Sequence, residues 1–122
     1  MATPLPANRA EFSLDEILAA TSGTLVRRGE KQRAIGLSTD TRTVGAGNVF
    51  LALSGERFDG HSYLGKAVES GASILVVSKY VDIVGDVSIV RVKDTLTALG
   101  DLARTHRRRW VRVVRRKGYV GK

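Results

Sequence analysis

The feature that most constrains the fold is a set of short apolar runs separated by polar loops and helical patterns. Asn48 to Leu53 has the near-continuous apolar character of a buried strand, and Ser73 to Val77 is a second buried run rich in β-branched residues. Val87 to Val92 reads as a third strand. Thr24 to Arg27 and Ile35 to Ser38 read as shorter ones, separated by a turn over Arg28 to Gln32, while Tyr80 to Ile83 fits no single pattern. Three helices are expected around these strands. In Phe12 to Ala20, Leu14, Ile17 and Leu18 take helical spacing, Ser13 and Glu16 form a capping box, and Gly23 is expected to supply the left-handed stop. Tyr63, Leu64, Ala67 and Val68 share a face of a second helix that Gly71 closes. Asp94 caps a third, in which Leu96, Leu99, Leu102, Ala103 and His106 trace one stripe. The alternation predicts an α/β fold, a small sheet covered by helices.

At 122 residues the chain has room for one compact domain, with an appendage at most. The longest aliphatic run, Ile74 to Val77, is far below the roughly 20 residues needed to cross a bilayer, so no membrane partner is expected. The opening residues have neither a basic start nor a secretory apolar stretch, and there is no cysteine. Disulfides and thiolate metal sites are therefore excluded, in keeping with a reducing cytoplasm. The formal charge of +8 first suggests nucleic acid, but its distribution argues otherwise. Nine of the twenty basic residues lie at Arg104 or beyond, with no acid after Asp101; residues 1–103 hold eleven basic and twelve acidic groups, a net charge of −1. The expected organisation is a flexible start over residues 1–11, a neutral domain over 12–103, and a basic helix end and tail over 104–122. Nucleic-acid binding through that arginine-rich segment is the alternative functional reading; it would be steeply salt dependent.

Two polar loops beside buried strands gather groups suited to binding, where α/β sheets place their crevices. The first is Ser38-Thr39-Asp40-Thr41-Arg42, whose hydroxyls donate and accept, and whose Arg42 can fork onto an anion or hold Asp40 in place. The second, Ser54 to His61, offers the amides of Gly55 and Gly60, the ring of Phe58 and the imidazole of His61, or simply forms a turn that caps the next helix. His61 has no cysteine or second histidine nearby, so a metal site is rejected. No serine has a convincing histidine and acid set, and His106 fits a packing or surface role, so no catalytic residue is assigned.

Leu37 to Arg42, Gly47 to Leu53, Gly55, Asp59-Gly60-His61 and Gly71-Ala72, in this order and spacing, resemble the N-terminal domain of the Mur ligases, the ATP-dependent amino-acid ligases of peptidoglycan precursor synthesis. The resemblance covers about residues 12–110. It is strongest to the branch that adds D-alanyl-D-alanine, with the tripeptide-forming branch as nearest sibling. It implies a domain that holds the UDP end of a UDP-N-acetylmuramoyl-peptide and works in the cytoplasm as a monomer, with no specific nucleic-acid partner. It further implies that Thr39, Thr41 and Arg42, with Glu56, Arg57 and Phe58, contact the substrate, and that Ser38, Asp40, Asp59, Gly60 and His61 support those loops. ATP and Mg2+ are implied for a full-length ligase and no cofactor for this chain. Gly118, Gly121 and Lys122 resemble the start of the family's ATP loop, but Arg115, Arg116, Lys117 and Tyr119 depart from its pattern and no hydroxyl residue follows. The resemblance therefore implies part of a ligase that does not catalyse ligation alone.

Overall fold

The computed structural model of the chain describes residues 10–55 and 59–117. Among the described residues, seven strands and three α-helices follow one another as β1 (Glu11–Ser13), α1 (Leu14–Thr21), β2 (Thr24–Arg27), β3 (Arg33–Ile35), β4 (Leu37–Ser38), β5 (Val49–Leu51), α2 (Leu64–Glu69), β6 (Ile74–Val77), β7 (Ser88–Arg91) and α3 (Thr95–Lys117). A 3-10 turn, Gly60–Tyr63, leads into α2. The main sheet has five strands in the order β2-β7-β6-β5-β4, with β4, β5, β6 and β7 parallel and β2 antiparallel at the edge. A second sheet pairs β1 with β3.

The apolar runs are buried strands because helices cover both faces of the sheet. Successive side chains of a strand point to opposite faces. Val49, Leu51, Ile74, Val76 and Val90 accordingly pack with Phe12, Leu14 and Ile17 and with Ala98 and Leu102 of α3. Phe50, Ala52, Leu75, Val77 and Ile89 pack on the other side with Leu64 and Ala67 of α2.

Several boundaries differ from the sequence reading. The capping box is present: the Ser13 N–H donates to Glu16 Oε1 (2.8 Å) and the Glu16 N–H to Ser13 Oγ (3.1 Å). Because Ser13 is the cap, α1 begins at Leu14, and Phe12 lies in β1 rather than in the helix. Ala10 is buried and Glu11 pairs with Ile35, so both are part of the fold and not of a loose start. The left-handed stop of α1 is Ser22 (φ 55°) and not Gly23. Gly23 serves close approach instead, since a Cβ there would lie 2.6 Å from Val90 Cγ1. The expected strand Ile35 to Ser38 is broken at Gly36, whose φ of 86° turns the chain from one sheet into the other. Tyr80 to Ile83 belongs to an irregular segment pinned by Arg27, whose guanidinium donates to the carbonyls of Ile83, Gly85 and Val87.

Asp94 caps α3 as expected, accepting from the Leu96 N–H (3.3 Å) and Thr97 Oγ1 (2.7 Å). The buried stripe of α3 is turned relative to the expected one: Thr95, Ala98 and Leu102 face the core, while Leu96 is 63% exposed and Ala103 is exposed too. Thr95 can occupy the core face because its hydroxyl donates to the Ala52 carbonyl (2.9 Å), which leaves no buried polar group unpaired. Two arginines of the basic segment are engaged within the domain. Arg104 pairs with Asp101, and Arg109 reaches Glu16 Oε2 (3.0 Å) and the Glu11 carbonyl (2.9 Å) while its guanidinium lies 4.9 Å from the Phe12 ring centroid. Among the described residues no helix is long and apolar enough to cross a membrane. Gly100 lies in α3 with no atom within 4 Å of a Cβ built on it. Gly100→Ala is therefore expected to stabilise the chain by about 0.5–1 kcal/mol, read as a higher urea midpoint, because alanine restricts the unfolded chain at no steric cost.

Candidate functional site

The parallel strands β4 and β5 end side by side, and the loops that leave their carboxyl ends form a groove of about 630 Å³. Its walls are Thr39, Asp40, Thr41 and Arg42 on one side, Leu53, Ser54 and Gly55 on the other, with Phe50 and Tyr63 completing it. Thr39, Thr41 and Arg42 thus lie together on one wall of the groove. Glu56, Arg57 and Phe58 lie outside the described residues, as do Gly118, Gly121 and Lys122.

The first wall is braced internally. Ser38 Oγ donates to the Asp40 carbonyl (2.9 Å) and stands 3.2 Å from Thr43 Oγ1. Of the two uses open to Arg42, the structure shows the second. Its backbone N–H donates to Asp40 Oδ1 (2.8 Å), and its Nε and Nη2 grip the same carboxylate, Nη2 at 2.7 Å from Oδ2. This guanidinium contact, followed by the backbone N–H, holds the Asp40 carboxyl below its ordinary pKa, and the Arg42 guanidinium is raised in return. The Arg42 side chain is 86% exposed, so it presents its charge at the groove mouth while ordering the loop.

The second wall is closed at its base by Asp59. Ser54 bridges Asp59 in antiparallel fashion, and the Gly60 N–H donates to the Leu53 carbonyl (2.7 Å). Gly60 fits because it has no side chain: a Cβ would lie 2.9 Å from Leu53 N and O. Asp59 Oδ1 accepts from the His61 backbone N–H (3.0 Å) and faces His61 Nδ1 at 2.6 Å, while its Oδ2 binds Lys79 Nζ. Lys79 first, then His61, holds the Asp59 carboxyl far below the usual range. On the other edge of the imidazole, Nε2 accepts from the Ser78 backbone N–H (3.0 Å).

Asp59, His61 and Ser78 resemble an acid, base and nucleophile set, with Ser78 Oγ 3.4 Å from Nε2. The arrangement is not built for that chemistry. The Ser78 amide already occupies the Nε2 lone pair, Lys79 neutralises the acid, and the imidazole is only 5% exposed. Among the described residues no three His, Cys, Asp or Glu side chains gather as a metal site. The site is thus one of hydroxyls, amides, an arginine and an aromatic ring, a set suited to binding a polar ring and its attached anion. Sequence reasoning missed Tyr63, placed on the core stripe but 43% exposed and on the groove wall, and also Ser78 and Lys79 beside His61 and Asp59. The only local signal for Tyr63 was its position just after Asp-Gly-His, where the 3-10 turn changes the helical phase.

Comparison with known proteins identifies the family of the fold. The family model described as "Mur ligase family, catalytic domain" matches residues 34–107. The UDP-N-acetylmuramoyl-tripeptide–D-alanyl-D-alanine ligase of Synechocystis sp. is 34% identical over 113 residues, covering 91% of this chain and 25% of the relative. The UDP-N-acetylmuramoyl-L-alanyl-D-glutamate–2,6-diaminopimelate ligase of Clostridium perfringens is 30% identical over 86 residues, 70% of this chain and 18% of the relative. A crystal structure of MurF from Acinetobacter baumannii superposes with a TM-score of 0.71 at 29% identity over 84% of this chain and 22% of that one. The chain thus spans a quarter or less of the length of these relatives. With the family model matching more than half of its residues, the chain belongs to the Mur ligase family.

Proposed function

We propose that this chain binds the uridine diphosphate end of a UDP-N-acetylmuramoyl-peptide, as the nucleotide-holding part of a ligase that adds D-alanyl-D-alanine in peptidoglycan precursor synthesis. The observation that carries the reading is the convergence of Thr39, Thr41 and Arg42 with Ser54, Gly55 and Tyr63 on one groove at the carboxyl ends of β4 and β5, in a chain of this family. Ligands of parallel α/β sheets bind beyond those ends. Threonine hydroxyls and the amide of Gly55 match the donors and acceptors of a uracil edge, and Tyr63 lines the same groove beside them. The exposed Arg42 guanidinium supplies positive charge for a diphosphate. In this reading the chain's own residues bind and orient the nucleotide and carry out no bond-forming step. ATP and Mg2+ belong to the proposed full-length ligase, and no described residue is assigned to them.

Titrating 15N-labelled protein with UDP is expected to shift the amide signals of Thr39, Thr41 and residues 54–61 saturably. A spectrum in which those signals stay in place at millimolar UDP would overturn the reading for this chain.

A further inference from the structure

The imidazole of His61 is one of the best-buried titratable groups described, and the binding chemistry just proposed makes no direct use of it. Its surroundings are specific at both nitrogens. The Ser78 N–H is a donor that cannot reverse its role, so Nε2 must present a lone pair. The proton of the neutral ring then sits on Nδ1 and is donated to Asp59 Oδ1 at 2.6 Å. The ring thereby connects two otherwise separate places, the base of the loop that forms the second groove wall and the chain leaving β6, seventeen residues further on. Asp59 extends the same connection to Ser54 on the groove wall (3.3 Å) and to Lys79.

From this geometry we infer that neutral His61 is a positioning residue for the nucleotide groove, a latch that holds the Ser54–Asp59 loop base against the end of β6 and lets go when the ring is protonated. The inference rests on the nucleotide reading above and adds to it a defined tautomer and a pH dependence. Protonation would place a second N–H on Nε2, facing the Ser78 N–H, so that one hydrogen bond becomes a donor–donor contact. Among the described residues, the charged groups of this cluster are Asp59 from the ring's own loop and Lys79 from the segment after β6. The Asp59 carboxyl stays ionised over the histidine range, because Lys79 and then His61 stabilise its charged form. Histidine is the side chain whose ordinary change of charge falls between about pH 5 and 8, which sets the range of the test.

The test uses the whole chain in a His106→Gln background, which leaves His61 as its sole histidine. The ligand is UDP-N-acetylmuramic acid, whose diphosphate diester does not titrate in the range used. From about pH 7.5 to about pH 5.5 affinity is expected to fall roughly tenfold, the effect of losing one hydrogen bond at a buried acceptor. His61→Gln, which carries a donor and an acceptor on one group and cannot titrate, is expected to bind at every pH as the parent does near neutrality. His61→Leu, which leaves the Ser78 amide unpaired, is expected to bind about tenfold more weakly at every pH. In ligand-free protein, long-range 1H–15N spectra are expected to show the Nδ1–H tautomer and a Ser78 amide that exchanges faster once the ring is protonated. A pH-independent parent, an unchanged pH slope in His61→Gln, or the Nε2–H tautomer would each overturn the latch. Absence of binding by the parent near pH 7.5 would overturn the nucleotide reading and the groove role with it, while the ligand-free spectra would still decide the tautomer.

Discussion

Replacing Phe12 by alanine is expected to lower the unfolding free energy by about 3–5 kcal/mol, a large part of what a domain of this size has available. Phe12 is fully buried in β1, opposite Ala34 of β3, and belongs to the core cluster that joins α1, α3 and the main sheet. Its removal opens a cavity where helices and both sheets meet, and rigid strand pairing around it limits collapse. It also removes the ring under Arg109, though a cation–π contact at such a partly exposed site is worth only about 0.5–1 kcal/mol, so lost burial dominates. Urea denaturation followed by circular dichroism should show a lower midpoint with an unchanged slope. Arg109→Ala, compared in the same experiment, should cost about 1 kcal/mol. A Phe12→Ala loss no greater than that of Arg109→Ala would mean that the core closes over the site and that this account of its packing is wrong.

Gly29→Ala is expected to destabilise the chain by about 3 kcal/mol or more, although glycine at an exposed turn ordinarily tolerates alanine. An alanine Cβ would stand 2.2 Å from the Asp86 carbonyl oxygen and 2.4 Å from that of Val87, both backbone atoms with no freedom to rotate away. The segment after β2 would have to separate from the segment before β7. That movement would break the bonds tying these segments together: Gly29 N–H to Ser88 Oγ (3.0 Å), Ser88 Oγ to the Lys31 carbonyl (2.6 Å) and the Lys31 N–H to the Asp86 carbonyl (3.1 Å). The Arg27 clip on Ile83, Gly85 and Val87 lies in the same place and would be strained with them. Thermal unfolding should show a clear drop in Tm for Gly29→Ala against a rise for Gly100→Ala. Equal behaviour of the two variants would show that the edge of the sheet yields freely and would refute the clash argument.

These two positions mark where local reading ends. Phe12 reads as the start of the first helix and not as a strand residue, because β1 exists only by pairing with β3, and short strands without a long pattern of their own depend on the partner. Gly29 reads as an ordinary turn glycine, since the carbonyls it meets lie more than fifty residues along the chain. The groove shows the same division. The hydroxyl-rich loop at Ser38 to Arg42 and the Asp-Gly-His turn could be recognised from residue chemistry and order. That Arg42 closes on Asp40, that Tyr63 leaves the core stripe for the groove wall, and that Ser78 and Lys79 complete the His61 cluster depended on three-dimensional proximity.

By itself the amino-acid sequence determined the α/β class, the buried strands β5, β6 and β7, the caps at Ser13 and Asp94, and the family-like order of the two loops. Each of these arises from interactions within a few residues or from uninterrupted apolar character. Only the tertiary structure decided the sheet order, the rotation that buries Thr95 in place of Leu96, the use of Arg27 and Arg109 as clips, and the meeting of both loops at one groove. The physical reason is common to all four. A buried polar group or a strand edge is satisfied by whatever partner packing brings to it, and that partner is distant in sequence.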